Sequence, residues 1–549
     1  MSLTEKRQIG SKKVMPFTIP SGIITTEPSC LERIAREIPE LGVLTTKSIG
    51  SEPRVGNREP ILAQYIPRGF VNAVGLTNPG AEEFAKKLST IAFPPDKFLL
   101  ASVFGKDESE FVFVARTLEK YVDGFELNLS CPHAKGYGMQ LGQDKDVVGK
   151  ITQSVVHSVK KPVFIKLTPN AGNIGEIAKA AIDSGAYGIV AINTVGPGYY
   201  SIDGLPVLTN KVGGISGTGI TPLGLRCVRD IRQAVGENIP IIGMGGIKNA
   251  TDVGAYAAAG ADFFGIGSAL AGMEEIEIKN YFFALIGDIN NNCRTNNAEN
   301  LLKQVDMHYR KVKIEEKIDS SCDFKVIRTN ETLTAEPGQF IFAWIPEVGE
   351  KPLSVMDDRP LTLGVLERGE FTRKLNSLRK GDCFYIRGPY GKKLNINFNL
   401  DTVLVGGGCG IAGLTLIARR AAKRLNNKRL VILLGAKDKE HIPYLDVFKE
   451  YGEVLVATED GSLELKGKVT DLFEKAKLTK ECYFFNCGPE KMIDAVIPLE
   501  LNISRSQLIY SSLDFMTKCG VGLCGGCATK DGRRLCVDGP FMILSPDSS

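Results

Sequence analysis

Short apolar runs, many rich in β-branched residues, alternate with stretches of helical periodicity through the N-terminal half of the chain. Eight such runs predict strands at 20–24, 43–47, 98–103, 124–129, 163–167, 188–193, 240–244 and 263–266. Patterns such as 174–184 and 250–259 predict helices between them. Eight β/α units in fewer than 300 residues imply an α/β fold closed as a (β/α)8 TIM barrel. Polar residues and glycines gather at the C-terminal ends of the predicted strands: Lys47, Asn128, Lys166, Asn193, Gly245, Gly246 and Gly267. That end is the working face of such a barrel.

The text turns polar over 287–299, which predicts a domain junction. From 305 to 393 strand runs and turn signals dominate, predicting a small antiparallel β-barrel. From 401 to 498 the β/α alternation returns, predicting an open nucleotide-binding sheet. The most apolar run, Val403 to Ala418, spans 16 residues and is thick with glycine; it reads as strand, turn and helix, being short for a membrane span. The expected organisation is therefore multi-domain, α/β and β, with domains at 1–300, 305–398 and 399–505 and a cysteine-rich segment at 506–549.

Of the 549 residues, 43% are hydrophobic and 24% charged, as in soluble globular proteins. The net charge of +4 and the lack of a basic block argue against nucleic acid as a partner. The first residues are polar and carry no secretory core, so a cytoplasmic protein without a membrane segment is expected. Thirteen cysteines in that setting point to metal or catalytic roles and away from disulfides.

The tail supplies the sharpest chemistry. Cys519, Cys524 and Cys527 are spaced C-x4-C-x2-C, and Cys536 follows. This is the spacing of plant-type [2Fe-2S] ligation, with glycines that let the backbone wrap a cluster. Zinc is the alternative, though its usual form is paired C-x2-C knuckles. A one-electron centre needs partners for two-electron chemistry. One candidate is the run from Phe125 to His133, where a strand delivers Asn128 and the following turn presents Cys131, placed to act as a general base. Another is Val405-Gly-Gly-Gly-Cys-Gly-Ile-Ala412, a glycine loop between a strand and a helix, as pyrophosphate binding requires. With Asn486-Cys-Gly-Pro-Glu-Lys-Met492 it resembles the nicotinamide side of ferredoxin-reductase-like domains, which implies an NAD site using Gly407, Gly408, Gly410, Gly488 and Pro489; NAD and NADP are not distinguished.

Over nearly all of 15–272 the chain resembles the class 1 dihydroorotate dehydrogenases. The resemblance lies in Thr46-Lys-Ser48, Asn72 to Gly80, Asn128-Leu-Ser-Cys-Pro132, Phe164-Ile-Lys-Leu167, Ile192-Asn-Thr194, Gly213-Gly-Ile-Ser-Gly217, Gly243-Met-Gly-Gly246 and Ile266-Gly-Ser268. It implies an FMN-binding barrel that oxidises dihydroorotate to orotate. Cys131 would take the proton from carbon 5, while carbon 6 gives hydride to the flavin. Lys47, Asn72, Asn128, Asn193 and Thr194 would line the pyrimidine, with backbone N–H groups of Val74, Gly75 and Leu76. Lys166 would stabilise reduced, anionic flavin. Gly245, Gly246, Gly267 and Ser268 would hold the FMN phosphate, and Ser21, Gly22, Lys47, Ser48 and Gly217 would complete the flavin contacts. Pairing of two barrels into a homodimer is also implied. The family usually has Asn where His133 stands. Ser-Cys-Pro-His133 also resembles dihydropyrimidine dehydrogenase, which implies uracil or thymine reduction as the alternative.

The C-terminal part resembles the ferredoxin-reductase-like electron-transfer subunit of the NAD-dependent (class 1B) enzymes. Pro337-Gly-Gln-Phe340, Lys351-Pro-Leu-Ser354 and Arg387-Gly-Pro-Tyr-Gly391 carry that likeness for an FAD barrel, through Lys351, Ser354, Gly388 and Gly391. The family commonly has Arg where Lys351 stands, and Lys lacks the planar two-point grip on a diphosphate. The whole implies one chain passing electrons from FMN through [2Fe-2S] and FAD to NAD+. A flavin and iron–sulfur relay for another redox protein is the third reading.

Overall fold

The computed structural model describes residues 2–129, 141–292, 294–321, 323–396, 398–424, 428–478, 480–513 and 516–543. The chain forms two compact units, Met1–Val305 with Val521–Arg533, and Asp306–Gly520 with Arg534–Ser549.

In the first unit eight strands close a barrel in chain order: β1 (Phe17–Ile19), β2 (Leu41–Thr45), β3 (Phe98–Val103), β4 (Gly124–Asn128), β5 (Val163–Leu167), β6 (Gly188–Ala191), β7 (Ile241–Met244) and β8 (Phe263–Gly265). Every neighbouring pair is parallel. Side chains alternate across each strand. Val43, Leu100, Phe164, Val190 and Ile242 form an inner cluster, joined by Ile9 and Val14 of the N-terminal hairpin. Their neighbours Leu44, Ala101, Ile165, Ile189 and Ile241 pack in a larger cluster with the helices. Buried polar residues, Thr45, Ser102, Glu126, Asn128 and Lys166, continue toward the C-terminal end of the barrel strands.

One local expectation is corrected. The first strand ends at Ile19, so 20–24 is not a strand. Pro20 has no ladder donor, and Gly22 (φ 79°) and Ile24 (φ 66°) are left-handed, which an extended strand excludes. The polar run 287–299, expected at a domain junction, ends a few residues before Val305, the end of the first unit's long segment. The helix Glu275–Asn290 continues into it, and the buried Asp288 carboxylate accepts from Asn297 Nδ2 at 3.0 Å and Ala298 N at 2.9 Å. A further antiparallel sheet, ordered Val195–Tyr199, Val212–Gly217, Gly69–Asn72, Leu62–Ile66, was not anticipated.

In the second unit β9 (Arg310–Asp319), β10 (Phe324–Thr329), β11 (Phe340–Ile345), β12 (Gly349–Asp358), β13 (Leu361–Leu366) and β14 (Cys383–Tyr390) close an antiparallel barrel in the order 9-10-13-12-11-14. A seven-stranded sheet follows: β15 (Asp401–Gly407), β16 (Leu430–Ala436), β17 (Glu453–Thr458), β18 (Leu465–Lys466), β19 (Cys482–Cys487), β20 (Ile509–Ser512) and β21 (Phe541–Met542). Its order is 18-17-16-15-19-20-21, parallel except for β20 with β21. The last two strands come from 506–549, so that segment completes the sheet while its residues Val521–Arg533 belong to the first unit. Among the described residues no helix is long and apolar enough to cross a membrane.

Candidate functional site

At the C-terminal end of the eight-stranded barrel lies a cavity lined from every side by strand ends and the loops after them. Beyond β2, Lys47 and Ser48 line it, with Ser21 and Gly22 following β1. A Cβ on Gly22 would stand 3.1 Å from Lys47 Nζ, so the absence of a side chain there lets the ammonium lie over the backbone. Asn128 from β4, Lys166 from β5, and Asn193 and Thr194 after β6 also line the cavity. A chain of polar contacts fixes several of them. Asn193 Nδ2 donates to Asn128 Oδ1 at 3.3 Å, and Asn128 Nδ2 donates to Ser48 Oγ at 2.9 Å. Ser48 Oγ lies 3.2 Å from Ser21 Oγ and 2.9 Å from Ser102 Oγ. Ser102 is fully buried, and no motif marked it.

Asn72, Val74, Gly75 and Leu76 form another wall. Gly75 and Leu76 both have left-handed φ, 82° and 56°. Asn78 holds this loop, donating to Leu76 O at 2.9 Å and accepting from Gly80 N at 2.9 Å and Gly50 N at 3.3 Å. A non-glycine residue at positive φ persists where its surroundings fix it.

Gly217, Gly245, Gly246, Gly267 and Ser268 close the opposite side. Gly246 (φ 81°) sits against Gly217, whose carbonyl oxygen would be 2.7 Å from a Cβ there. Tyr256, on the helix Ala250–Ala258, donates its hydroxyl to Gly245 O at 2.7 Å. Burial pushes that phenol well up, which keeps it a donor. Such bare backbone suits an anionic group that must approach closely. Ser216, Ile192, Met244 and Leu523 line the same cavity and were assigned no role from the sequence, and Cys524, expected as a cluster ligand, lines it too. Ile24 N donates to Leu523 O at 2.6 Å, Thr26 Oγ1 to Cys524 O at 2.6 Å and Gly272 N to Val521 O at 2.8 Å. Cys131 and His133 lie outside the described residues.

In the second unit the glycine run after β15 and the Cys487–Pro489 run meet. β15 and β19 are adjacent and parallel, with Gly406 opposite Cys487. From β15 the chain runs outward one way to β18, then returns to its other side as β19, which is the switch point where open α/β sheets bind ligands. There a Cβ on Gly410 would lie 2.2 Å from Cys487 O, and one on Gly407 would meet Pro489 at 3.4 Å and Met492 Sδ at 2.5 Å. Gly408 has φ 55°, and a Cβ on Gly488 would stand 3.2 Å from Gly407 N. A Cβ on Gly413 would fall 3.1 Å from Cys487 Sγ and 3.5 Å from Ser354 Oγ, so β12 reaches the same place. Lys351 is on β12, and Gly388 (φ 113°) and Gly391 (φ 92°) lie at the end of β14.

Cys519 and Cys536 belong to the second unit, Cys524 and Cys527 to the first. Cys519, Cys527 and Cys536 are buried, and Gly520, Gly522 and Gly525 have φ of 81°, 72° and 65°. Among the described residues no group of three or more His, Cys, Asp or Glu side chains is arranged to hold a metal ion.

A family model described as dihydroorotate dehydrogenase matches residues 5–280. The catalytic subunit of dihydroorotate dehydrogenase B (NAD(+)) from Methanocaldococcus jannaschii is 42% identical over 259 residues, covering 46% of this chain and 83% of that protein. The protein of the same name from Pyrococcus horikoshii is 42% identical over 269 residues, 49% of this chain and 86% of that one. That from Thermoplasma volcanium is 43% identical over 267 residues, 48% and 85%. A solved NADH-dependent reduced ferredoxin-NADP oxidoreductase is 29% identical, covering 42% of this chain and 87% of its own, with a TM-score of 0.38.

Proposed function

The chain belongs to the dihydroorotate dehydrogenase family, and from that premise we propose that it oxidises dihydroorotate to orotate and delivers the electrons to NAD+. One observation carries the reading. The described residues from Ser21 to Ser268 to which the resemblance assigns a substrate or FMN contact all line a single cavity at the C-terminal end of the barrel strands. FMN bound there would accept the hydride from carbon 6 of the substrate, with [2Fe-2S] and FAD completing a route to NAD+.

The chain's own residues supply the rest. Gly217, Gly245, Gly246, Gly267 and Ser268 offer bare backbone for the phosphate of FMN. Lys166 brings positive charge to a buried wall of the cavity. Lys47, Asn72, Asn128, Asn193 and Thr194, all in the cavity wall, would line the pyrimidine, and backbone N–H groups of Val74, Gly75 and Leu76 would serve the substrate carboxylate. Cys131 is the proposed base at carbon 5. Cys519, Cys524, Cys527 and Cys536 are proposed to hold the cluster on the strength of their spacing, and the position of Cys524 in the cavity wall supports short transfer between FMN and that centre. The switch point with Gly407, Gly408, Gly410, Gly488 and Pro489 is proposed for NAD, and Lys351, Ser354, Gly388 and Gly391 for FAD.

The test is an anaerobic assay of the purified chain. NADH formation from dihydroorotate and NAD+, lost in Cys131→Ser at neutral pH, is expected. NADH oxidation with uracil and no NADH formation from dihydroorotate would overturn the reading.

A further inference from the structure

The interior of the eight-stranded barrel holds one acid against its grain. Glu126 faces inward from β4, fully buried, in register with Ser102 of β3 and Phe164 of β5. The interior around it is apolar: Leu100, Phe164, Val190, Ile242. Its Oε1 lies 3.4 Å from Lys166 Nζ, and Lys166 lies in the cavity wall while Glu126 does not. Its Oε2 is buried with no hydrogen-bond partner among the described residues. Serine hydroxyls nearby do not serve it, because Ser102 Oγ is engaged with Ser48. A buried charge without other compensation directs its field onto its neighbour, since little solvent screens it.

We propose that Glu126 is a positioning residue that acts through Lys166, aiming the ammonium into the cavity and subtracting from the positive charge it presents there. This rests on the reading that FMN occupies the cavity. Reduction adds negative charge to a flavin, which Lys166 favours and Glu126 opposes. The acid therefore lowers the potential of the bound flavin, so that the electrons it receives are released onward. Gln in its place keeps an oxygen that accepts from Lys166 and removes the charge, which separates charge from geometry.

The experiment compares the full chain with Glu126→Gln, Lys166→Met and the double variant, each as isolated. Bound flavin is read from its visible spectrum, its potential from dye-equilibrated reduction, and its electrophilicity from titration with sulfite, which adds to oxidised flavin more tightly when positive charge lies nearby. Glu126→Gln should keep its flavin and bind sulfite at least tenfold more tightly. Its reduced-to-oxidised flavin ratio should rise about tenfold at fixed potential, about 30 mV for a two-electron couple. In the Lys166→Met background the same change should shift neither. Glu126→Asp, which draws the charge back by a methylene, should shift both in the same direction and less; this variant carries the test should Glu126→Gln not fold. A full flavin complement with unchanged potential and sulfite affinity overturns the proposal, as does an equal shift with and without Lys166. A wild-type chain that binds no flavin overturns the functional reading and this inference together.

Discussion

Arg387 and Glu350 meet side by side in the second unit, Nε to Oε1 and an Nη to Oε2, both at 2.7 Å, with neither side chain exposed. Tyr309 adds its hydroxyl to Glu350 at 2.6 Å, and the guanidinium stacks 4.0 Å from the Phe342 ring centre. The remaining Nη donates to the carbonyl of Cys519 at 2.9 Å. The fork thus binds two strands and the first cysteine of the tail at once. Arg387→Lys cannot make three directed contacts. It should cost about 3–5 kcal/mol of stability in the second unit by leaving Glu350 partly unpaired. Iron content should fall with it, while flavin bound to the first unit stays. Denaturant unfolding and iron analysis of the purified variant check this, and full iron content would count against a role in holding the tail.

Glu500, at the end of the helix Glu490–Leu501, is fully buried. Burial pushes its carboxyl up to about 8, opposed by the amide of Asn486, which donates to it at 2.8 Å. The folded state therefore holds its proton over a window, from about 4.5 to about 8, in which the unfolded chain has released it. Stability falls as pH rises through that window, at about 1.4 kcal/mol per pH unit for a single group, and is flat above it. Glu500→Gln should remove the decline. Calorimetric melting of both proteins at several pH values should show the variant gaining on the wild type from pH 5 to 8; parallel melting curves would refute the assignment.

Tyr256→Phe removes the hydroxyl that holds Gly245 O. Loss of one such hydrogen bond costs about 1 kcal/mol. Much of that should appear as weaker flavin retention, a several-fold rise in the FMN dissociation constant measured by fluorescence, with the fold unchanged by circular dichroism.

Gly410→Ala places a methyl carbon 2.2 Å from Cys487 O, a backbone atom that cannot swing aside. The glycine loop and Cys487–Pro489 must part. The expected result is a KM for NAD+ raised tenfold or more, with flavin reduction by dihydroorotate in single-turnover mixing unaffected.

The strands 98–103 and 163–167 were legible to the residue because each is an apolar run stopped by polar or turn text. The barrel itself followed from eight such runs. The strand predicted at 20–24 failed because Ile23 and Ile24 look like strand residues while Pro20 and Gly22 set the backbone. Val195–Tyr199 was invisible for the opposite reason: Val-Gly-Pro-Gly-Tyr carries turn residues, yet it pairs with Val212–Gly217. Motifs brought most of the cavity into view. Ser102, Asn78, Tyr256 and Glu126 stayed hidden because each acts through a partner distant in sequence, or through a backbone atom, and leaves no local spacing to read. Arg387 was legible as part of a turn motif, but its partner Glu350 is 37 residues away.

Residues Val521–Arg533 complete the first unit, yet they are separated from Val305 by the sequence of the second. Thr26 must wait for Cys524, 498 positions later, before its hydroxyl finds that carbonyl. A chain emerging from the ribosome can thus form its eight-stranded barrel early and still lack one wall of the cavity. That wall arrives only after the small barrel and most of the seven-stranded sheet have been made. Synthesis order makes closure of the cavity a late event, and a chain halted before residue 521 presents a barrel whose cavity lacks Leu523 and Cys524.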